Sequence, residues 1–161
     1  MAAFSIKTYL ILLVIFQLDG GEMECMGGQK QIPIRNRDYV CSGHDKGHLF
    51  PVYHTSTFAA KLATSTLTNA APQDPCFNRG KWRIHERDMV TQAKDCQEAF
   101  MVTGVVPGNG HIGNGVRVAK YYWSALCCRK EGGHHSRGFI GPDNNGQVQE
   151  LSVRELEMRL S

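Results

Sequence analysis

Asp45-Lys46-Gly47-His48-Leu49, followed by Thr68-Asn69-Ala70-Ala71-Pro72-Gln73 and then by Phe77-Asn78-Arg79-Gly80-Lys81-Trp82 and Glu86, bring together residue types suited to phosphate-ester chemistry. Hydrolysis of a phosphodiester needs a base for the attacking water, and histidine titrates near neutrality. It also needs a hard cation against the charge that grows on the phosphoryl and leaving oxygens. Mg²⁺ keeps most of its waters and accepts few protein oxygens, so one Asn carbonyl and a carboxylate that orients water suffice as a cage. His48, Asn78 and Glu86 are those three kinds of group. On a helix, Asn78 and Glu86 stand about two turns apart and can face one water cluster.

Outward from these stretches, the apolar pattern predicts a helix over 78–100, with Trp82, His85, Met89, Ala93, Cys96 and Phe100 on one stripe. Upstream, His48 to Tyr53 reads as a short strand or hairpin arm interrupted at Pro51, and Thr66 to Ala71 as a β-favouring or loop stretch. Phe100 to Val106 reads as a buried strand stopped by Pro107, and Val116 to Cys128 as a second strand. Gly108-Asn109-Gly110-His111-Ile112-Gly113 fits a dinucleotide fingerprint, but a strand-like segment follows where a helix is needed, so it reads as a loop between strands. At the end, Ser152 and Glu155 form a capping box, and Leu151 and Leu156 the flanking staple. Short strands with two or three helices in irregular alternation indicate an α+β domain.

Of 161 residues, 42% are hydrophobic and 20% charged, enough apolar content for one packed domain and too much for a disordered chain. A net charge of +3 permits a polyanionic partner without requiring one. Lys7 followed by the apolar run from Tyr9 to Leu18 has the layout of a signal peptide, and the run is too short to span a bilayer. Residues 1–20 are therefore expected to be a signal peptide, 21–38 a polar lead-in and 39–161 the domain. The expected location is extracellular, without stable membrane association. Six cysteines, Cys25, Cys41, Cys76, Cys96, Cys127 and Cys128, fit a disulfide-bonded chain in that compartment, with the pairing open.

The quoted motifs resemble those of the DNA/RNA non-specific endonucleases, enzymes of the ββα-metal (His-Me finger) fold. Asp45 to Leu49 is similar to their Asp-Arg-Gly-His motif, and Thr68 to Glu86 to their metal-helix segment, with the same internal spacing. Val102 to Gly108 and Trp123 to Cys128 resemble the secreted vertebrate branch of that family. The resemblance runs from about Tyr39 to Ser161. It implies an α+β fold with an antiparallel sheet and flanking helices, a Mg²⁺ or Mn²⁺ cofactor, DNA or RNA as substrate and a 5′-phosphate product. It implies His48 as general base, Asn78 as metal ligand, and Glu86 as the group that positions water around the metal. Asn69 would sit beside the scissile phosphate and help hold the site, and Asp45 would support its hydrogen-bond network. Lys46 and Arg79 would contact substrate phosphates.

Lys46 departs from the family's usual Arg, which loses the planar fork. The family also carries a longer stretch before the motif, including a phosphate-gripping Arg, so the chain reads as shortened at its N-terminal side. The rival to a nuclease is a catalytically impaired relative that binds nucleic acid or protein. Taken singly, the residues have plainer readings: Asn78 a helix cap, Glu86 a solvated charge, His85 and Trp82 packing groups, and His54 a surface or supporting residue.

Overall fold

A computed structural model describes residues 34–161 in full. Before them it describes only the backbone of three two-residue strands, β1 (Leu13–Val14), β2 (Phe16–Gln17) and β3 (Cys25–Met26). The rest of the signal-like segment and of the lead-in, with the side chain of Cys25, lies outside the described residues. β1 pairs with β3, and β2 with Phe100 and Met101.

The frame is an antiparallel sheet ordered β2-β6-β7-β8-β9, built on β6 (Glu98–Ile112), β7 (Val116–Lys130), β8 (Gly133–Pro142) and β9 (Gln149–Leu151). Pro107 does not end its strand. The ladder takes a register shift between Val106 and Pro107, and the hairpin continues to a turn after Ile112. A bulge absorbs the donor that proline lacks. The glycine-rich segment is thus the far end of a long β-hairpin.

Both faces of β7 are covered, and its alternation sorts the core. Tyr122 and Leu126 pack with Leu49, Phe50, Phe77, Trp82 and Met89 on one side. Trp123 and Ala125 pack with Ile140, Leu156 and Leu160 on the other, where α4 (Val153–Leu160) lies. The Ser152–Glu155 capping box forms as expected. Cys128 is bonded to Cys96 below the helix layer, whereas Cys127, next along the strand, is free. Cys41 and Cys76 are free and exposed. No described helix is long and apolar enough to cross a membrane.

Against the helix-side face lies a ββα unit: the hairpin of β4 (Asp45–His48) and β5 (Ala70–Gln73), then α2 (Pro75–Phe77), a π-helical turn (Asn78–Trp82) and α3 (Arg83–Ala93) in one continuous run. The helix spans 75–93, not 78–100. Asp74 caps it, accepting the Phe77 N–H at 2.8 Å, with Pro75 in the first turn. Its end leaves Cys96 in a turn and puts Phe100 in β6, opposite Cys127. Trp82, His85 and Met89 are buried along the stripe, as the pattern predicts.

Gly47 lets the hairpin sit flat on the sheet. A Cβ there would collide with the Gln73 side-chain oxygen and lie 2.6 Å from the Tyr122 hydroxyl. Gly47→Ala is expected to destabilise the chain by about 3 kcal/mol, since neither neighbour has room to retreat. Urea unfolding at constant m-value measures it.

Candidate active site

Asp45 and His48 stand at the two ends of β4. Asp45 is the electrostatic centre of the cluster. Its carboxylate accepts Arg79 Nε at 2.8 Å and Nη2 at 2.6 Å, and Asn78 Nδ2 at 2.9 Å. The Arg79 fork, with the Asn78 amide adding to it, holds the Asp45 carboxyl below its usual range despite partial burial. Because Asp74 already caps the helix, the Asn78 side chain is spared that duty. Because Asp45 takes its NH₂, Oδ1 is left as the amide's acceptor. The π turn begins at this residue, and such widened turns recur at functional sites.

His48 is half-buried, and burial lowers its pKa below the usual imidazole value. Among the described residues its ring makes no side-chain hydrogen bond, so both nitrogens remain available. Glu86 lies two turns beyond Asn78 on α3. Burial pushes its carboxyl up to about 8, and no cationic side chain among the described residues offsets that cost. His54 braces this part of the helix through a 2.8 Å bond from its Nε2 to the Glu86 carbonyl.

Asn69 is 2% exposed, and its amide is fully used. Nδ2 donates to the Phe50 and Thr64 carbonyls, each at 2.9 Å, and Oδ1 accepts the Phe50 N–H at 2.9 Å. It holds the backbone that leaves His48 and is itself turned away from solvent. Asn69→Ala removes three buried hydrogen bonds at once, and a loss of about 2–4 kcal/mol is expected by urea denaturation. Lys46 points elsewhere: its ammonium binds Asn36 Oδ1 at 2.7 Å and lies 5.7 Å from the centre of the Tyr39 ring. Arg79, though largely exposed, is committed to Asp45. His85 lies in the core, bonded to Ser124 Oγ at 2.8 Å and packed, with its ring tilted, against both Trp82 and Phe139.

The structure thus joins Asp45, Asn78 and Arg79 by direct bonds, with His48 on the same short strand and Glu86 braced to the segment that follows it. Lys46 stands apart from this cluster. Three supporting groups escaped the sequence reading. Gly47 was legible only as part of a motif, and Asp74 only as a proline neighbour. Asp143, which accepts the Asp74 N–H at 2.9 and 3.1 Å, comes from the far end of β8 and had no local signal.

A divalent cation fits this donor set. Among the described residues no three His, Cys, Asp or Glu side chains converge on a point. One amide oxygen and a carboxylate still unpaired with any cation suit an ion that retains its own waters.

The profile of the DNA/RNA non-specific endonucleases matches residues 27–159. The chain belongs to that family. Human endonuclease domain-containing 1 protein is 29% identical over 139 residues, 83% of this chain and 27% of that protein. A nuclease of Nostoc is 36% identical over 141 residues, 74% of this chain and 49% of its own length. The chain therefore spans about a quarter to a half of these curated relatives. A crystal structure of the EndoG/EndoGI complex shares the fold of this non-specific endonuclease chain, with a TM-score of 0.68 at 21% identity, covering 79% of this chain and 61% of the other.

Proposed function

We propose that the chain is a secreted, Mg²⁺-dependent endonuclease that hydrolyses phosphodiester bonds of DNA and RNA with little sequence preference. The observation that carries the reading is the Asp45–Asn78 bond. It fixes the amide so that a ligand oxygen is left over, and the strand that carries Asp45 ends in a histidine with both nitrogens free.

In this reading Asn78 Oδ1 would hold the cation, and Glu86 would orient water around it. When bound, Mg²⁺ supplies charge neutralisation at the phosphoryl and leaving oxygens. His48, neutral at pH 7, takes the proton of the attacking water. Asp45 keeps Asn78 in the ligating rotamer and Arg79 on the rim, where its Nη1 donors remain open to a phosphate. Asn69 keeps the strand end rigid, so His48 does not drift from the attacking water; its role is positioning, without contact to substrate. Recognition through phosphates conveys no base identity, which accounts for low specificity.

The test is degradation of plasmid DNA and of RNA by the full, oxidised chain, with Mg²⁺ and with EDTA. Cutting of both with Mg²⁺ and of neither with EDTA is expected. A folded chain that binds but does not cut favours the catalytically impaired relative. Secretion rests on the signal-like layout and fits the Cys96–Cys128 disulfide. Protein recovered from the medium of expressing cells is expected to start near Gly20–Gly21. Intact residues 1–20 on secreted protein would count against cleavage.

A further inference from the structure

The chain between Phe50 and Thr64 leaves the ββα unit and returns to it. Asn69 closes this excursion by holding the Phe50 and Thr64 carbonyls with one amide nitrogen. It carries a 3₁₀ turn (Val52–His54) and α1 (Phe58–Thr64). Compact loops with tied ends are frequently functional. This one exposes large apolar groups: Tyr53 is 59% exposed, Phe58 76% and Leu62 57%. Phe58, Lys61 and Leu62 stand at i, i+3 and i+4, on one face of α1. Only Thr64 of that helix is buried, so the helix is presented outward rather than packed inward.

Charge and position both point to one occupant. Lys61 on α1, and Arg83 and Arg87 one turn apart on α3, are exposed and take part in no ion pair among the described residues. Arg83 and Arg87 flank Glu86 in sequence, and His54 bonds the Glu86 carbonyl. The 3₁₀ turn that carries Tyr53 packs against both α1 and α3, so the exposed aromatic groups lie on elements adjoining the helix that carries Glu86, Arg83 and Arg87. Exposed flat side chains and unpaired cations on neighbouring elements fit a strand whose bases are free to stack while its phosphates are neutralised. A duplex hides its base faces and would meet only the cations.

We infer that the 50–64 loop is a nucleobase-stacking platform, with Tyr53 and Phe58 as the stacking groups, and that it directs the site toward unpaired DNA or RNA. The inference rests on the nuclease reading and names its preferred substrate class. The probes are a dT₁₂ oligonucleotide, an abasic 12-mer of equal charge and a 12-bp duplex. Binding is measured by fluorescence anisotropy in Mg²⁺, using full-length chain carrying His48→Ala so that cutting is negligible over the measurement.

Preference for dT₁₂ over both other probes is expected. Tyr53→Ala and Phe58→Ala are each expected to weaken dT₁₂ binding about tenfold and abasic binding less than twofold. Thermal melts confirm that the variants fold, and Phe58→Leu, which keeps bulk without an aromatic face, is expected to lose most of the same affinity. Equal losses on dT₁₂ and the abasic strand, or no loss, would overturn the platform. So would sedimentation showing that the wild-type chain dimerises through this face and that Phe58→Ala makes it monomeric. If the wild-type chain cuts plasmid and RNA while the dT₁₂-to-abasic ratio stays near one, the platform alone fails. If the folded wild-type chain neither cuts nor binds any probe, both readings fail.

Discussion

His48→Ala is expected to lower kcat/KM on plasmid DNA by about 10²–10⁴-fold, the usual contribution of a positioned general base. The fold is expected to survive, because the His48 ring makes no side-chain hydrogen bond among the described residues and is only half-buried. The melting temperature should therefore fall by only a few degrees. The pH profile supplies an independent readout. Burial lowers the His48 pKa, so the base stays neutral to a lower pH than a free imidazole would. The acid limb of wild-type activity is expected below pH 6.5, the unperturbed value, and residual activity of His48→Ala should lack that limb. A variant that cuts within a few fold of wild type, with an unchanged profile, would remove His48 from the mechanism.

Glu86→Gln is expected to move stability and activity in opposite directions. In the metal-free chain the Glu86 carboxyl titrates near 8, because burial disfavours its charge. A folded-state pKa above the unfolded one means that the fold prefers the protonated form. The stabilisation is complete below about pH 4.5 and is lost as pH rises toward 8. By pH 8 the accumulated penalty is on the order of 4 kcal/mol. Glutamine keeps the shape without the charge, so in EDTA at pH 8 the variant should melt higher than wild type, with the gap closing toward pH 5.

Mg²⁺ should narrow that gap at pH 8 by stabilising the wild-type chain. The same substitution should lower Mg²⁺-dependent cutting by about 10²-fold or more, since the amide is a weaker acceptor for oriented water. Equal melting curves in EDTA from pH 5 to 8 would show that the carboxyl is not desolvated. His85 works from the other side. Burial lowers its pKa to about 4, so stability present above pH 6.5 is lost as pH falls toward 4. From these two groups the metal-free wild-type chain is thus expected to be most stable between about pH 4.5 and 6.5.

The motif residues were legible because their chemistry is local. Asp45, His48, Asn78 and Glu86 lie in two segments whose spacing constrains what they can face. The C-terminal helix was legible for the same reason, as its start is written in four adjacent residues. The limits of the central helix were not. Pattern alone placed Asn78 at the cap, where its oxygen would have been occupied; Asp74 holds that place, and the shift of the start toward Pro75 releases Asn78. Phe100 continued the apolar stripe by number but belongs to a strand, because a period-3.6 count does not register the turn around Cys96. Pro107 marks a strand end by residue type, yet a bulge carries the strand onward.

Residue types and short-range spacing were enough for the α+β class, the disulfide-forming tendency and the set of groups suited to phosphodiester chemistry, while the ββα unit followed from the family resemblance of the motifs. Each depends on neighbours within a few turns of chain. Tertiary structure decided which groups are bound to which. Arg79 turns to Asp45 while staying largely exposed, and Lys46 turns to Asn36 and Tyr39. Asn69 is sealed beneath the loop whose ends it joins. Gly47 is required by Gln73 and Tyr122, the latter from a strand more than seventy residues away. Contacts of that range arise only when the hairpin is laid on the sheet. Spacing along the chain carries no information about which side chain will fill the space opposite.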